Sequence, residues 1–184
     1  MKTIKKFGIL LLTVLIISCS SDDSSDNSGG NGDNNLTIGQ SYQGGIIAYI
    51  DSTGQHGLIA ATEDQIEIQW YNGTNIVIGT GTAIGTGLTN TNAIIAAHDG
   101  SGSYAASIAR DYNGGGYTDW FLPSKDELNI LYENKTAIGG FTDYSYWSST
   151  EFDNVNAWKQ YFNDGNQVFY YKQDANIVRA VRAF

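Results

Sequence analysis

The chain has 184 residues, with 19 Asp plus Glu against 10 Lys plus Arg, a formal net charge of -9 and a single cysteine. That length holds one domain with room for an export segment and a linker. So acidic a chain repels phosphate backbones, which argues against nucleic acid as a partner, and one cysteine excludes both an internal disulfide and a multi-cysteine zinc site.

Lys2, Lys5 and Lys6 precede an apolar run over 7–17, which ends at Ser18 and Cys19. A charged start, a short apolar core and a small residue at the end make a secretory signal, too short for the roughly 20 apolar residues of a membrane span. Ile16-Ile17-Ser18-Cys19 also resembles the lipobox of bacterial lipoproteins, in which the cysteine is acylated and starts the mature chain. The expectation is a signal peptide over 1–18 and a lipid on Cys19. Each buried methylene adds about 0.8 kcal/mol, so a multiply acylated cysteine tethers a protein to a membrane without spanning it. From 20 to 35 the chain holds only Ser, Asp, Asn and Gly, so 19–35 is expected to be a disordered acidic tether. Asp22, Asp23, Asp26 and Asp33 lack calcium-loop spacing and count as solvated charge. An acidic stretch after the acylated cysteine resembles the surface-export signal of some Gram-negative lipoproteins, which implies a surface-exposed place on the outer membrane.

Residues 36–184 are long enough to bury an apolar core without a staple. Gly45–Ile50 and 57–61 flank a turn-rich stretch and predict a hairpin, with His56 at the end of the turn in a structural role. The stretch 76–88 carries Gly79, Gly81, Gly85 and Gly87, but neither nucleotide-loop spacing nor a lysine, and reads as a loop. Two alanine-rich helices follow over 92–98 and 104–112, broken at 99–102 and ended by Gly114, Gly115 and Gly116. His98 and Asp99 adjoin in sequence, which on a helix points them in different directions.

Ser124 followed three residues on by Glu127 forms a capping box for a helix, and Asp126 and Glu127 favour its positive start. Paired carboxylates also serve glycoside hydrolysis, a reading the capping role competes with. The C-terminal third is aromatic and β-rich. Strands over 156–162 and 167–172 flank Asp164-Gly165, a signal for a two-residue turn that would pair Phe162 with Gln167 and Trp158 with Tyr171. One face, with Trp158, Phe162, Phe169 and Tyr171, is expected to cover the core, and the other, with Lys159, Tyr161, Tyr170 and Lys172, to face solvent. A last strand over 177–183 is expected to close the sheet.

The run Gly115-Gly116-Tyr117-Thr118-Asp119-Trp120-Phe121-Leu122-Pro123-Ser124, then Tyr146-Trp147-Ser148-Ser149-Thr150-Glu151, Ala157-Trp158 and Val178-Arg179-Ala180-Val181-Arg182, resemble in this order the Lcl C-terminal domain family. Those domains form the C-terminal part of collagen-like bacterial adhesins and occur in many bacterial lipoproteins. The resemblance implies an α+β, C-type-lectin-like fold, with a small antiparallel sheet and two or three short helices, and a role in adhesion or carbohydrate binding. The chain has no collagen-like repeat, so trimerisation through such a stem is not expected, and no Glu-Pro-Asn or Trp-Asn-Asp motif of calcium-dependent lectins, so neither a cofactor nor a metal is expected. The adhesin member is associated with sulfated polysaccharides. Here 15 acidic face 7 basic residues after position 35, so a polyanion would need a local basic patch.

Three functions follow: a non-catalytic surface module binding glycan or protein, a structural or assembly component of the envelope, and a carboxylate-dependent glycoside hydrolase. The exposed aromatics favour the first. Its candidate ligand-binding residues are Asp153, Asn154, Asn156, Lys159, Tyr161, Tyr170 and Lys172.

Overall fold

The computed structural model describes residues 36–184; the expected signal peptide, Cys19 and the tether fall within 1–35, outside the described residues. Strands β1 (Ser41–Tyr42), β2 (Gly45–Ile50), β3 (Gly57–Ala60) and β4 (Glu67–Gln69) come first. Helices α1 (Gly87–Ala97) and α2 (Ala105–Asp111), a 3-10 turn at Gly114–Gly116, α3 (Lys125–Glu133) and α4 (Lys135–Ile138) come next. β5 (Ser145–Glu151), β6 (Asn156–Tyr161), β7 (Gln167–Tyr171), β8 (Ala175–Ile177) and β9 (Val181–Ala183) follow. The fold is α+β, with two sheets where one was expected: β1-β2-β3-β9 and β4-β8-β5-β6-β7. All neighbours are antiparallel except β5 and β8. Among the described residues no helix is long and apolar enough to cross a membrane.

The short apolar runs are explained by burial on both faces, because successive residues alternate between two cores. Ile59 joins Trp70, Ile94, Trp120, Leu122 and Trp147 in one cluster, while its neighbours Leu58 and Ala60 join Phe121, Leu131, Tyr146 and Phe162 in the other. The β2–β3 hairpin forms as expected, with a register irregularity between Ile47 and Tyr49. Gly44 and Gly115, both at positive φ, let two backbones touch: a Cβ on Gly115 would lie 2.4 Å from the Gly44 Cα.

The expected last strand over 177–183 is divided between the sheets, β8 in one and β9 in the other. The stretch between them bonds to the loop after β3 instead of a ladder: Gln65 N donates to Val178 O at 2.8 Å and Ala61 N to Ala180 O at 2.9 Å. Arg179, fully buried, fixes the crossing through Asp64 at 2.6 Å and the carbonyls of Ala61 and Gly140. Arg182 holds Asp119 through two bonds of 2.7 and 2.8 Å and also reaches Gln43.

The helix cap over 124–127 is present. Ser124 Oγ accepts from Glu127 N at 3.2 Å, and Glu127 Oε2 accepts from Ser124 N at 2.7 Å. Glu127 is fully buried, and burial pushes its carboxyl above the ordinary range. α1 starts five residues before the expected 92, at Gly87, which packs closely on the cap: a Cβ there would lie 2.2 Å from Glu127 Oε2.

Candidate functional site

The β6–β7 hairpin departs from its expected register by two residues: Trp158 pairs with Phe169 and Gln160 with Gln167. A longer loop replaces the two-residue turn, closed by Tyr161 N to Asn166 O at 3.0 Å and Gly165 N to Tyr161 O at 2.9 Å. The cause is Phe162, which leaves the ladder to pack at ring distances of 4.3 Å from Tyr146 and 4.8 Å from Phe141. A shift of two preserves which residues share a face.

The faces follow expectation only in part: Tyr170 is exposed as foreseen, but four other residues depart from it. Phe162 is buried as foreseen, but Trp158 is half-buried and Phe169 and Tyr171 are 48% and 55% exposed. Lys159 and Lys172, expected to face solvent, are buried, so the expected mixed aromatic and basic surface does not form. Lys172 Nζ donates to Glu151 Oε1 at 2.6 Å and to the carbonyls of Ile76 and Asn154 at 3.2 Å each, and lies over the Trp70 ring. Glu151 Oε2 in turn accepts from Ile78 N and Gly79 N at 2.8 and 2.9 Å, so this ion pair pins the glycine-rich loop. Lys159 Nζ donates to Asn176 Oδ1 at 3.1 Å and sits between the Tyr161 and Tyr170 rings, 4.8 and 4.1 Å from their centroids. Tyr161 and Tyr170 are therefore not a cross-strand pair; Tyr170 lies opposite Ala157.

Over this buried polar layer lies an aromatic surface. Phe152 and Phe169 stack with centroids 4.0 Å apart and planes within 5°, and Trp158 meets each ring edge-on at 5.8 Å. Two clefts adjoin at Tyr171. One, of about 230 Å³, is lined by Tyr71, Asn75, Val155, Tyr171 and Gln173. The other, of about 270 Å³, is lined by Asn156, Phe169, Tyr170 and Tyr171.

Of the seven candidates, Asn156 and Tyr170 line a cleft. Asp153 lies behind that lining, bonded to Asn156. Asp153 Oδ1 accepts from Val155 N and Asn156 N at 2.8 Å each, and both its oxygens take the Asn156 amide nitrogen. Those bonds, the Asn156 side chain foremost, hold the Asp153 carboxyl below its ordinary range. Asn154 is exposed and lends its carbonyl to Lys172. Tyr71, Asn75, Val155, Phe169, Tyr171 and Gln173 were not foreseen. Phe169 and Tyr171 belonged to the expected core face, and a single Asn or Gln in a loop carries no pattern to find it by.

The arrangement combines aromatic faces with amide and phenol groups, donors and acceptors without net charge. Elsewhere, His98 is buried with neither ring nitrogen hydrogen-bonded within the described residues, and burial lowers its imidazole below the ordinary value, while Asp99 is exposed. Among the described residues no three His, Cys, Asp or Glu side chains gather as metal ligands would. His56 borders a third, apolar hollow of about 170 Å³ with Tyr49, Leu58 and Ile84.

The model of the Lcl C-terminal domain family matches residues 60–182. The fold is similar to that of a fimbrial protein from Bacteroides ovatus ATCC 8483, with a TM-score of 0.53 and 13% sequence identity over 74% of this chain and 43% of that one. This chain thus spans less than half of that protein. No curated protein matches the sequence.

Proposed function

The chain belongs to the Lcl C-terminal domain family, and from that premise we propose that its folded part is an adhesin-type, lectin-like binding domain of the cell surface that holds a glycan in the clefts around Tyr171. The observation that carries this reading is the pair of clefts itself, lined by tyrosines, a phenylalanine and side-chain amides at the exposed end of the β6–β7 hairpin. Sugars offer flat C–H faces and many hydroxyls, which aromatic rings and amides match. Tyr supplies such contact at low entropic cost, and Asn supplies adaptable hydrogen bonds. The shared fold of a fimbrial protein agrees with a surface role.

A glycan array probed with the full chain and with Tyr171→Ala tests the site. Tyr171 is common to both clefts, so its truncation should weaken binding about tenfold or more, as loss of an anchoring residue does. Equal binding by the two proteins would place the site elsewhere.

The same reading puts the domain on the outer membrane through an acylated Cys19. Intact mass of the protein from membranes should give a chain beginning at Cys19 with added acyl mass, and an unmodified Cys19 would remove the anchor.

A further inference from the structure

The glycan reading leaves open which chemical class of glycan the clefts accept, and the placement of positive charge answers it. Seven basic residues follow position 35, and none is exposed. Lys172 is consumed by Glu151, and Lys159 by Asn176 and two tyrosine rings. Arg179 and Arg182 are committed to Asp64 and Asp119. Arg110 donates to Asn92 at 2.6 Å, and Lys135 to the Phe162 carbonyl. Lys125, half-buried with 24% of its side chain exposed, lies over the Trp158 ring at 4.9 Å, with Asp126 Oδ1 4.0 Å from its ammonium.

Backbone amides could also bind an anion, as glycine-rich loops do. Here Ile78 N and Gly79 N are taken by Glu151, and Gly85 N by Glu127 at 2.8 Å. Exposed charge is acidic, including Glu63, Asp99, Asp111, Glu133, Asp143 and Asp164, and Asp153 lies behind the lining of the second cleft, bonded to Asn156. A sulfate or carboxylate entering either cleft would lose its hydration without meeting a free cation, at a cost that only pairing offsets.

Resting on the proposed glycan site, we propose that the clefts around Tyr171 take neutral, unsulfated glycans and reject polyanionic ones. The specificity is set by sequestration: Lys159, Lys172, Arg179 and Arg182 are turned inward, and the half-buried Arg110, Lys125 and Lys135 line neither cleft.

The test is a glycan array on which each oligosaccharide is printed plain and sulfated, probed with the full chain at about 50 and 200 mM NaCl. The expected result is binding to plain members that changes less than about twofold with salt, while sulfation of the same member weakens it; phosphate-like polyanion contacts instead fall steeply with salt. A Gln173→Lys variant, which sets an exposed cation in the first cleft, should gain sulfated ligands several-fold, and no gain would remove charge as the cause. Preferential, salt-sensitive binding of sulfated members by the unaltered chain would overturn the selectivity while leaving the glycan site standing. Binding of no glycan at all would overturn both.

Discussion

The β2–β3 and β6–β7 hairpins are both rich in apolar residues, and they bury different kinds of side chain. In β2–β3 the buried residues are Ile47, Ala48, Leu58, Ile59 and Ala60. In β6–β7 Lys159 and Gln160 are buried beside Ala157, Lys172 just beyond β7 is buried as well, and Phe169, Tyr170 and Tyr171 stand exposed. Position in the sheet accounts for the difference. β3 lies between β2 and β9 with a core on each face, so hydrophobicity alone decides what is inside. β7 is an edge strand, so along one of its long sides it has no neighbouring strand and its side chains are flanked there by solvent. There the interior is settled by whether a polar group has partners, since a buried charge is tolerated only when paired and hydrogen-bonded.

The sharpest way to break this comparison is Lys172→Ala. Removing one member of a buried ion pair leaves Glu151 uncompensated, which costs about 3–5 kcal/mol. The loss should appear as a lower urea midpoint, and pairing the change with Glu151→Gln, which removes the charge but keeps an acceptor for Ile78 N and Gly79 N, should restore part of it. A single variant as stable as the parent would mean that Lys172 is a surface residue in solution.

A second prediction concerns Tyr146, buried in the other core and bonded through its hydroxyl to Asp64 Oδ2 at 2.6 Å. Burial first, then that bond to a carboxylate, push its phenol from 10 up to about 12. A raised folded value means that the fold favours the neutral form. Its contribution is complete below pH 10 and disappears as pH rises to about 12. Tyr146→Phe should therefore be less stable at neutral pH, by about 1 kcal/mol for the lost bond, and the gap to the parent should narrow above pH 10. A gap that is flat with pH would show that Tyr146 ionises no later in the folded chain than in the unfolded one.

The comparison also marks what can be read from sequence. Features carried by neighbours in the chain were legible: the Ser124–Glu127 cap, the β2–β3 hairpin, the break at 99–102, and the family motifs. The inward turn of Lys159 and Lys172 was not, because their partners Asn176, Ile76, Glu151 and Asn154 are joined to them only by the tertiary fold. The run Phe169-Tyr170-Tyr171 places an aromatic on both faces of a strand, so its alternation carries no sign of which face is wet. The division of 177–183 between two sheets was hidden for the same reason, since Val178, Ala180 and Val181 are apolar enough for a single strand and only Arg179, through Asp64, marks the crossing.

The smallest expected effect separates recognition from packing on the exposed face. Phe169 stacks on Phe152 and meets Trp158, an aromatic cluster whose loss costs about 0.5–1.5 kcal/mol. Tyr171 is 55% exposed, and its ring has one aromatic neighbour, Tyr170, at 5.8 Å. Truncating it to alanine should change stability by no more than about 0.5 kcal/mol, as surface substitutions do. Thermal melts of Phe169→Ala and Tyr171→Ala should therefore differ, with the first lowered and the second close to the parent. If Tyr171→Ala melts as low as Phe169→Ala, the tyrosine is packed, and a loss of glycan binding by that variant would report unfolding. If it melts with the parent while binding falls, Tyr171 acts on the ligand and the exposed edge of the second sheet is the recognition surface.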